Sequence, residues 1–289
     1  MRVIDDFENK TIDRIEKKTI KLCCGKEVPI YCIDSTANLV QFVGYCKYVN
    51  SEYNVYIRGQ NDLYDGKLIP SLFRGNMNPD HAFHSFCERR NTINKKYFSK
   101  YDKRIFEALI QHYGIKTTQI DVVDNLWVAL WFASHTFYSR IIDVHEHLFA
   151  MDSHKDFGYI ILLASDAITA TENQKGIYTG ENTRIIDLRK ALPSFFLRPH
   201  AQHAYMLSKK TGEIIEYKSL TDYTDLVVGI AQIPTDVIQK WIGNSELLSV
   251  NSLFPSACFD DGFELLLRKY PRIDHSVIQS QGSIQIISS

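Results

Sequence analysis

Apolar residues in the first half of the chain recur mainly at helical spacing. Between residues 36 and 48 they fall three and four positions apart, which predicts an amphipathic helix with Ser35 or Thr36 as its N-cap. The same approach predicts further helices over residues 81–98, 102–112, 125–140 and 234–242. Another amphipathic helix is expected over residues 5–18, where apolar residues stand among charges.

The second half is richer in short apolar runs, which predict strands. Residues 158–164, GYIILLA, form a continuous apolar run that is typical of a buried strand. Further strands are expected at residues 27–33, 53–57, 177–178, 203–207, 213–217 and 226–233. Because neither a linker nor a repeat divides the chain, this pattern predicts one α+β domain, with a compact mixed β-sheet flanked by helices.

Composition and charge narrow the function classes only slightly. The 289 residues are 45% hydrophobic, and 33 basic against 34 acidic side chains leave a formal charge of −1, which neither favours nor excludes nucleic acid. We expect no membrane helix and no secretory signal, because the apolar runs are too short. The six cysteines lack CxxC spacing, so reduced thiols in a cytoplasmic protein are expected, without a disulfide framework or zinc site.

The first candidate site is YIRGQ, residues 56–60, at the end of a predicted strand. Arg58 offers a guanidinium that can bind phosphate or carboxylate through two hydrogen bonds. Gly59 allows a ligand to approach the backbone closely. The alternative is a structural arginine paired with an acidic neighbour and a glycine that only turns the chain.

The second candidate is the polar segment that precedes the apolar helix predicted from residue 125. His112, Tyr113 and Asp121 place polar groups where a buried helix does not require them. A carboxylate at Asp121 near Arg58 would be typical of a functional site. The alternative is helix capping by Asp121 or Thr118, and for the threonines capping is the favoured interpretation.

Two other segments carry candidate chemistry. His200 and His203 suggest a metal, but no third ligand stands at usable spacing, so no metal is expected. A basic run at residues 87–104 mixes cations with aromatic rings, as in surfaces that bind single-stranded nucleic acid. The alternative is a solvated helix face. The candidate RNA or DNA contacts are Arg89, Arg90, Lys95, Lys96, Tyr97 and Tyr101.

Taken together, these segments resemble the FRG domain family, whose Phe-Arg-Gly stretch stands here as YIRGQ. The family's Gln-His-Tyr-Gly turn, conserved aspartate and Ala-Leu-x-Phe-Ala helix stand as QHYGIKTTQID and VALWFA. Pro70 to Arg74, Arg198 to Gln202 and Leu253 to Pro255 follow further family elements. Lys116, Thr118 and Val122-Val123 depart from the family pattern.

The resemblance implies three regions. Residues 1–50 would form an N-terminal helix and strand extension packed on the main domain, residues 51–270 an FRG-like domain, and residues 271–289 a polar tail.

The layout is also similar to that of ADP-ribosyltransferases, in which a strand-end arginine and glycine are followed by an aromatic-Phe-Ala helix and a late catalytic strand. This similarity implies an ADP-ribosyltransferase-like fold with NAD as substrate. Arg58 would bind the NAD diphosphate or ribose, and Gly59 would allow close approach. Tyr113 or Trp131 would stack on nicotinamide, and Arg198 is a further cofactor-binding candidate.

The catalytic candidates follow from the same resemblance. Asp121 is the leading carboxylate for stabilising positive charge on the ribose, and Gln202 is the polar residue in the last family position. Glu213 and Glu216 are alternatives on a later strand. His112 is the candidate general acid or base if the protein is instead a nuclease.

The resemblance implies a bacterial or phage-conflict toxin or defence effector, an NAD-dependent ADP-ribosyltransferase acting on a macromolecule. RNA or DNA is slightly favoured over protein as acceptor, and an antitoxin or inhibitor protein is an expected partner. Two alternatives stay open: a non-catalytic module that recognises nucleotide or nucleic acid, and a metal-independent ribonuclease toxin.

Overall fold

Ten strands form one mixed sheet in the computed structural model, which describes residues 1–5, 7, 15–74, 78–97, 102–113, 115–142, 145–172, 174–210, 221–255 and 259–260. A separate hairpin is made of β5 and β6. The strands are β1 Lys17–Lys21, β2 Glu27–Cys32, β3 Asn54–Gln60, β4 Ile120–Val123, β5 His135–Ile142, β6 His145–Asp152, β7 Phe157–Ser165, β8 Thr169–Ala170, β9 Ile177–Thr179, β10 Thr183–Asp187, β11 Ala204–Lys209 and β12 Val227–Pro234.

The order of strands across the sheet is β1-β2-β12-β7-β3-β4-β11-β10-β9-β8. Strands β2 and β12 are parallel, with Ile30 opposite Ile230, whereas the other neighbouring pairs are antiparallel. The predicted α+β domain with a mixed sheet is therefore confirmed. Strands β1 and β2 belong to this sheet, so residues 17–32 are part of the main architecture.

The helices are α1 Thr36–Val49, α2 Pro79–Tyr97, α3 Lys103–His112, α4 Leu126–Ser134, α5 Leu188–Ala191, α6 Leu197–Ala201, α7 Thr235–Ile242 and α8 Val250–Leu253. Four of them lie close to the predicted ranges. Their caps explain the boundaries: Ser35 Oγ accepts a hydrogen bond from the Asn38 amide, and the Asp102 side chain accepts one from Arg104.

The strands at the centre of the sheet bury both faces. In β3, Val55 and Ile57 pack with residues of α1, α4 and α7, while Tyr56 faces a second cluster that includes Ile161. This alternation follows from the period of two along a strand. A third cluster joins α2, α3 and α5 to β9, β10 and β11. The site described below lies between the cluster that contains α4 and the cluster that contains α3.

The helix predicted to run from residue 125 to 140 is wrong in its second half. Helix α4 ends at Ser134, and residues 135–142 form β5, which pairs with β6. Thr136, Phe137 and Ile141 are β-branched or aromatic residues, which favour a strand. Because the apolar periodicity of α4 continues into this strand, the sequence pattern did not show that the helix ends at Ser134.

Some predictions fall on other parts of the chain. Most of the helix expected at residues 5–18 lies outside the described residues, although Lys17 and Lys18 begin β1 instead of ending a helix. The strand expected at residues 213–217 and the tail at residues 271–289 also lie outside them. Within the described part of the chain, no helix is both long enough and apolar enough to cross a membrane.

Candidate functional site

The site begins where strands β3 and β4 separate. Their ladder contains one pair, Ile57 opposite Val123. Continuing this register would place Gly59 opposite Asp121. Instead, Arg58 Nη1 donates a hydrogen bond to the backbone oxygen of Asp121 at 2.7 Å, and Arg58 Nε donates to Gln60 Oε1 at 3.2 Å. The guanidinium thus satisfies a carbonyl group at the point where the two strands diverge.

A cavity of about 380 Å³ opens between these strands. Its volume lies within the range of small-molecule sites. Its walls combine polar side chains with an aromatic and aliphatic surface. The lining residues are Ile57, Arg58, Gly59, Arg74, Gln111, His112, Asp121, Val122, Val123, Ala129, Phe132, Phe137, Gln202, Ala204 and Phe254.

Five of the eight predicted site residues line this one cavity. They come from four elements that are distant in sequence: β3 supplies Arg58 and Gly59, the end of α3 supplies His112, β4 supplies Asp121, and the C-cap of α6 supplies Gln202. The sequence predicts that Arg58, Asp121, Tyr113 and Gln202 converge on one pocket; Arg58, Asp121 and Gln202 line this cavity, whereas Tyr113 does not.

Asp121 presents its carboxylate to the cavity. The side chain is 50% exposed, and Oδ2 accepts a hydrogen bond from Gln111 Nε2 at 2.8 Å. Thr117 Oγ1 in turn donates to Gln111 Oε1, so Gln111 is held from both ends of its amide. This chain of hydrogen bonds orients the carboxylate, because Gln111 can present Nε2 in only one way.

His112 is buried beside this carboxylate. Its Nε2 lies 3.7 Å from Asp121 Oδ1, beyond hydrogen-bonding distance, and forms no hydrogen bond within the described part of the chain. Burial lowers the pKa of His112 below its usual value, while Asp121 and a hydrogen bond with Gln202 oppose this shift. The imidazole is therefore neutral at pH 7, with a buried nitrogen that has no hydrogen-bond partner among the described residues.

Two arginines give the cavity its positive charge. Burial lowers the pKa of Arg58 to about 10, the nearby cation Arg74 also lowers it, and Asp121 opposes both. Arg58 remains charged at neutral pH. Arg74 is exposed at the rim, and its Nε donates to the backbone oxygen of Ile69 at 2.9 Å.

The remaining wall of the cavity depends on a contact between Gln202 and Leu253. Gln202 is 6% exposed, and its Nε2 donates to the backbone oxygen of Leu253 at 2.7 Å. This contact places the ring of Phe254 next to Phe132 and Phe137, with centroid separations of 6.1 and 5.6 Å. Gln202 therefore organises an aromatic wall as well as contributing a polar group.

Gly59 has a structural reason that the sequence did not reveal. A Cβ atom at this position would overlap the carbonyl oxygen of Ala129 in α4. The close approach that requires glycine is therefore the packing of α4 on β3. The expectation that Gly59 mainly admits a ligand is corrected on this point.

Tyr113, Trp131 and Arg198 do not line the cavity, contrary to their expected roles in direct cofactor contact. Trp131 is 1% exposed and stacks on His135 with ring centroids 4.0 Å apart. Tyr113 is 2% exposed and donates its hydroxyl hydrogen to the carboxylate of Asp260, at 2.9 Å. These side chains are core residues because their rings are already covered by protein.

Arg198 lies outside the cavity and supports one of its walls. Its side chain is fully buried, its Nη1 donates to the backbone oxygen of His112 at 3.4 Å, and its guanidinium lies over the rings of Tyr113 and Phe254. Asp260 is also fully buried and accepts from the backbone amide of Arg198. The Arg-x-x-x-Gln element thus holds the wall of the cavity through Arg198 and reaches the cavity through Gln202.

The capping alternative for Asp121 and Thr118 is wrong. Asn125 caps α4, because its Oδ1 accepts from the amides of Trp127 and Val128. Thr118 instead donates its hydroxyl hydrogen to the buried carboxylate of Glu107 at 2.7 Å. Asp121 is therefore not needed to begin the helix.

The predicted nucleic-acid surface is only partly described. Arg90 is half-buried and lies 3.5 Å from Glu107, an ion pair that points inward. Arg89, Lys95, Lys96 and Tyr97 belong to α2, but their side chains lie outside the described part, as does Tyr101. Within the described residues, no group of three His, Cys, Asp or Glu side chains could hold a metal ion.

Sequence reasoning missed two polar residues of the cavity. Arg74 belongs to the Pro70-to-Arg74 element of the resemblance, and Gln111 stands at the start of the Gln-His-Tyr-Gly turn, yet neither was among the predicted site residues. Both motifs were signals that could have found them. Of the aromatic wall, Phe132 and Phe254 lie in the VALWFA and Leu253-to-Pro255 elements of the resemblance, whereas Phe137, in the β5–β6 hairpin, had no such signal.

Comparison with known proteins gives one match. Residues 53–139 match the family model of the FRG domain, which confirms the FRG resemblance for this segment. The segment contains Arg58, Arg74, Gln111, His112 and Asp121. No curated protein and no solved structure matches the chain.

Proposed function

We propose, on the premise that residues 53–139 are an FRG-domain segment, that the cavity binds NAD and that the protein transfers ADP-ribose to a macromolecule. The expected setting is a toxin or defence effector restrained by an inhibitor protein. The chemistry of the cavity supports the binding step, and the resemblance to ADP-ribosyltransferases supports the choice of reaction.

The observation that carries this proposal is the charge pattern of the cavity. It contains two guanidinium groups, Arg58 and Arg74, and one carboxylate, Asp121, while His112 is neutral. NAD has the complementary pattern, with two negative phosphates and one positive pyridinium. The rings of Phe132, Phe137 and Phe254 provide an apolar surface for a base or nicotinamide.

In the proposed reaction, the bond between ribose C1′ and the nicotinamide nitrogen breaks, and its electron pair stays with nitrogen. Nicotinamide therefore leaves as a neutral molecule. A new bond forms from C1′ to a nucleophilic oxygen or nitrogen of the acceptor, which loses one proton. Positive charge develops on the ribose during this exchange, and the carboxylate of Asp121 stabilises it.

His112 has the properties of a base for the acceptor proton. It is neutral at pH 7 because burial lowers its pKa, and its buried Nε2 has no hydrogen-bond partner among the described residues. Asp121 Oδ1, 3.7 Å away, stabilises the imidazolium that forms after proton transfer. Gln202 lines the same cavity as His112.

The acceptor is tested directly with NAD labelled in its adenylate portion, incubated with protein and with RNA, single-stranded DNA or a mixture of proteins. We expect label in one of these fractions, with RNA or DNA favoured, and release of one nicotinamide per label. Asp121→Asn should abolish both. Absence of nicotinamide release with every acceptor would overturn the proposal.

A second candidate is a metal-independent ribonuclease. The observation that favours it is the pairing of an unused His112 Nε2 with two arginines able to bind phosphate. In that reaction His112 would take the proton of a ribose hydroxyl as it attacks the adjacent phosphate. Shortening of RNA in the presence of a chelator and without NAD would support this candidate over transfer.

A further inference from the structure

Arg58 and Arg74 are two cations for which the described residues provide no ion-pair partner. Both line the same cavity, and within the described residues neither forms an ion pair with a carboxylate. Their side-chain partners are neutral oxygen atoms: the Asp121 carbonyl and the Gln60 amide for Arg58, and the Ile69 carbonyl for Arg74. Two like charges in one cavity call for an anionic ligand.

The backbone around Arg74 is anchored close to the rest of the site. The Leu72 amide donates to the Thr117 carbonyl at 3.3 Å, and the Thr117 amide donates to Ser71 Oγ at 3.4 Å. Thr117 also binds Gln111, which orients Asp121. The segment that carries Arg74 is therefore connected to the carboxylate by consecutive hydrogen bonds.

We infer that Arg58 and Arg74 form a two-point subsite for the diphosphate of a nucleoside diphosphate group, with one guanidinium for each phosphate. Arg58 binds the inner phosphate next to the β3–β4 opening, and Arg74 binds the outer phosphate at the rim. This inference deepens the proposed function by assigning a role to Arg74, and it rests on that proposal for the nucleotide identity of the ligand.

The groups around the two arginines fit a diphosphate joined to a sugar. His112 lines the cavity with a side chain that is 4% exposed, and its buried Nε2 has no hydrogen-bond partner among the described residues. The aromatic wall of Phe132, Phe137 and Phe254 lies in the same cavity and suits a planar ring. A single phosphate would leave one of the two guanidinium groups unused.

The test compares ADP-ribose with AMP by calorimetry at pH 7.5. Both ligands carry about two negative charges, but ADP-ribose spreads them over two phosphates. We expect the unmodified protein to bind ADP-ribose about tenfold or more tightly than AMP. Arg74→Gln should weaken ADP-ribose binding by about tenfold and AMP binding by less than threefold, because one charge-assisted hydrogen-bonded contact is lost.

The matched control is Lys116→Gln, which removes an exposed cation that does not line the cavity and should leave both affinities unchanged. Arg58→Gln should weaken both ligands, and Arg58→Lys serves where the glutamine variant does not fold. If Arg74→Gln weakens the two ligands equally, or weakens neither, the two-point subsite is excluded.

The outcome also separates this inference from the proposed function, because ADP-ribose has no nicotinamide to release. Selective binding of ADP-ribose without turnover of NAD would retain the subsite and reject the transferase. Turnover of NAD that Arg74→Gln does not change would retain the transferase and reject the subsite.

Discussion

Arg58 binds the backbone of Asp121 and not its carboxylate. Arg58 Nη1 lies 2.7 Å from the main-chain oxygen of Asp121, while the carboxylate accepts from Gln111. A direct ion pair would have neutralised both groups and left little for a ligand. The observed arrangement keeps a cation and an anion in one cavity, each available for a group of opposite charge.

This separation predicts that Asp121→Asn removes activity without removing stability. The side chain is half exposed, and asparagine keeps an oxygen that can accept from Gln111. We expect nicotinamide release to fall by about 100-fold or more, as for other losses of transition-state charge stabilisation. Asp124→Asn, a carboxylate just beyond the same strand and outside the cavity, is the control. Equal loss in the two variants would contradict a specific role for Asp121.

Gly59→Ala should destabilise the protein because the new methyl group overlaps the backbone of Ala129. We expect a loss of about 1–3 kcal/mol in the free energy of unfolding. Gly44→Ala is the matched control, since a Cβ atom there meets nothing within 4 Å and the residue lies inside α1. That variant should gain about 0.8–1 kcal/mol from helix propensity. Denaturant titration of both variants measures the contrast, and a neutral Gly59→Ala would refute the packing argument.

Arg198 should act on stability more than on ligand affinity. Arg198→Met leaves the His112 carbonyl without this donor and Asp260 without a neighbouring cation. We expect a cost of about 3 kcal/mol in the free energy of unfolding. ADP-ribose binding, measured well below the melting temperature, should change less than in Arg58→Gln. If the variant is stable but has lost all binding, the result would indicate that Arg198 contacts the ligand directly.

His112 should make stability depend on pH on the acid side of neutrality. Burial lowers its pKa in the folded state, so the unfolded chain takes up a proton first as the pH falls below about 6.5. Stability is thus full above that pH and declines towards the folded-state pKa, with a slope of at most about 1.4 kcal/mol per pH unit. His112→Gln should remove this part of the slope. The difference between the two proteins isolates it from His135, whose pKa burial also lowers. An unchanged slope would contradict a neutral buried His112.

Periodicity predicted the fold class and most central elements well. The helix ending at residue 49 and the strand beginning near residue 54 both followed from local patterns. Local patterns failed at the α4–β5 boundary, because Phe137 continues an apolar series that reads equally well as helix or strand. The pairing of Ile30 with Ile230 could not be predicted from the sequence, because sequence spacing does not determine which strands become neighbours.

The polar residues of the cavity were predicted more accurately than the boundary between the cavity and the core behind it. Arg58 and Asp121 stand out because charged groups interrupt apolar segments, and the structure brings them together. The resemblance to ADP-ribosyltransferases implied that Trp131 stacks on the ligand, but its ring stacks on His135. Exposure of a side chain depends on packing between distant elements, and this is why the resemblance placed Trp131 and Arg198 too close to the ligand.

The strand order has a consequence for the folding of the chain during translation. Within residues 53–139, β3 and β4 share a single pair, and the long partners of these strands, β7 and β11, are translated only later. The matched segment, residues 53–139, therefore lacks the main pairing partners of its own strands. Such high contact order slows folding and leaves strand edges unpaired in a nascent chain. The cavity is completed only after Phe254 has been translated, so ligand binding begins late in synthesis.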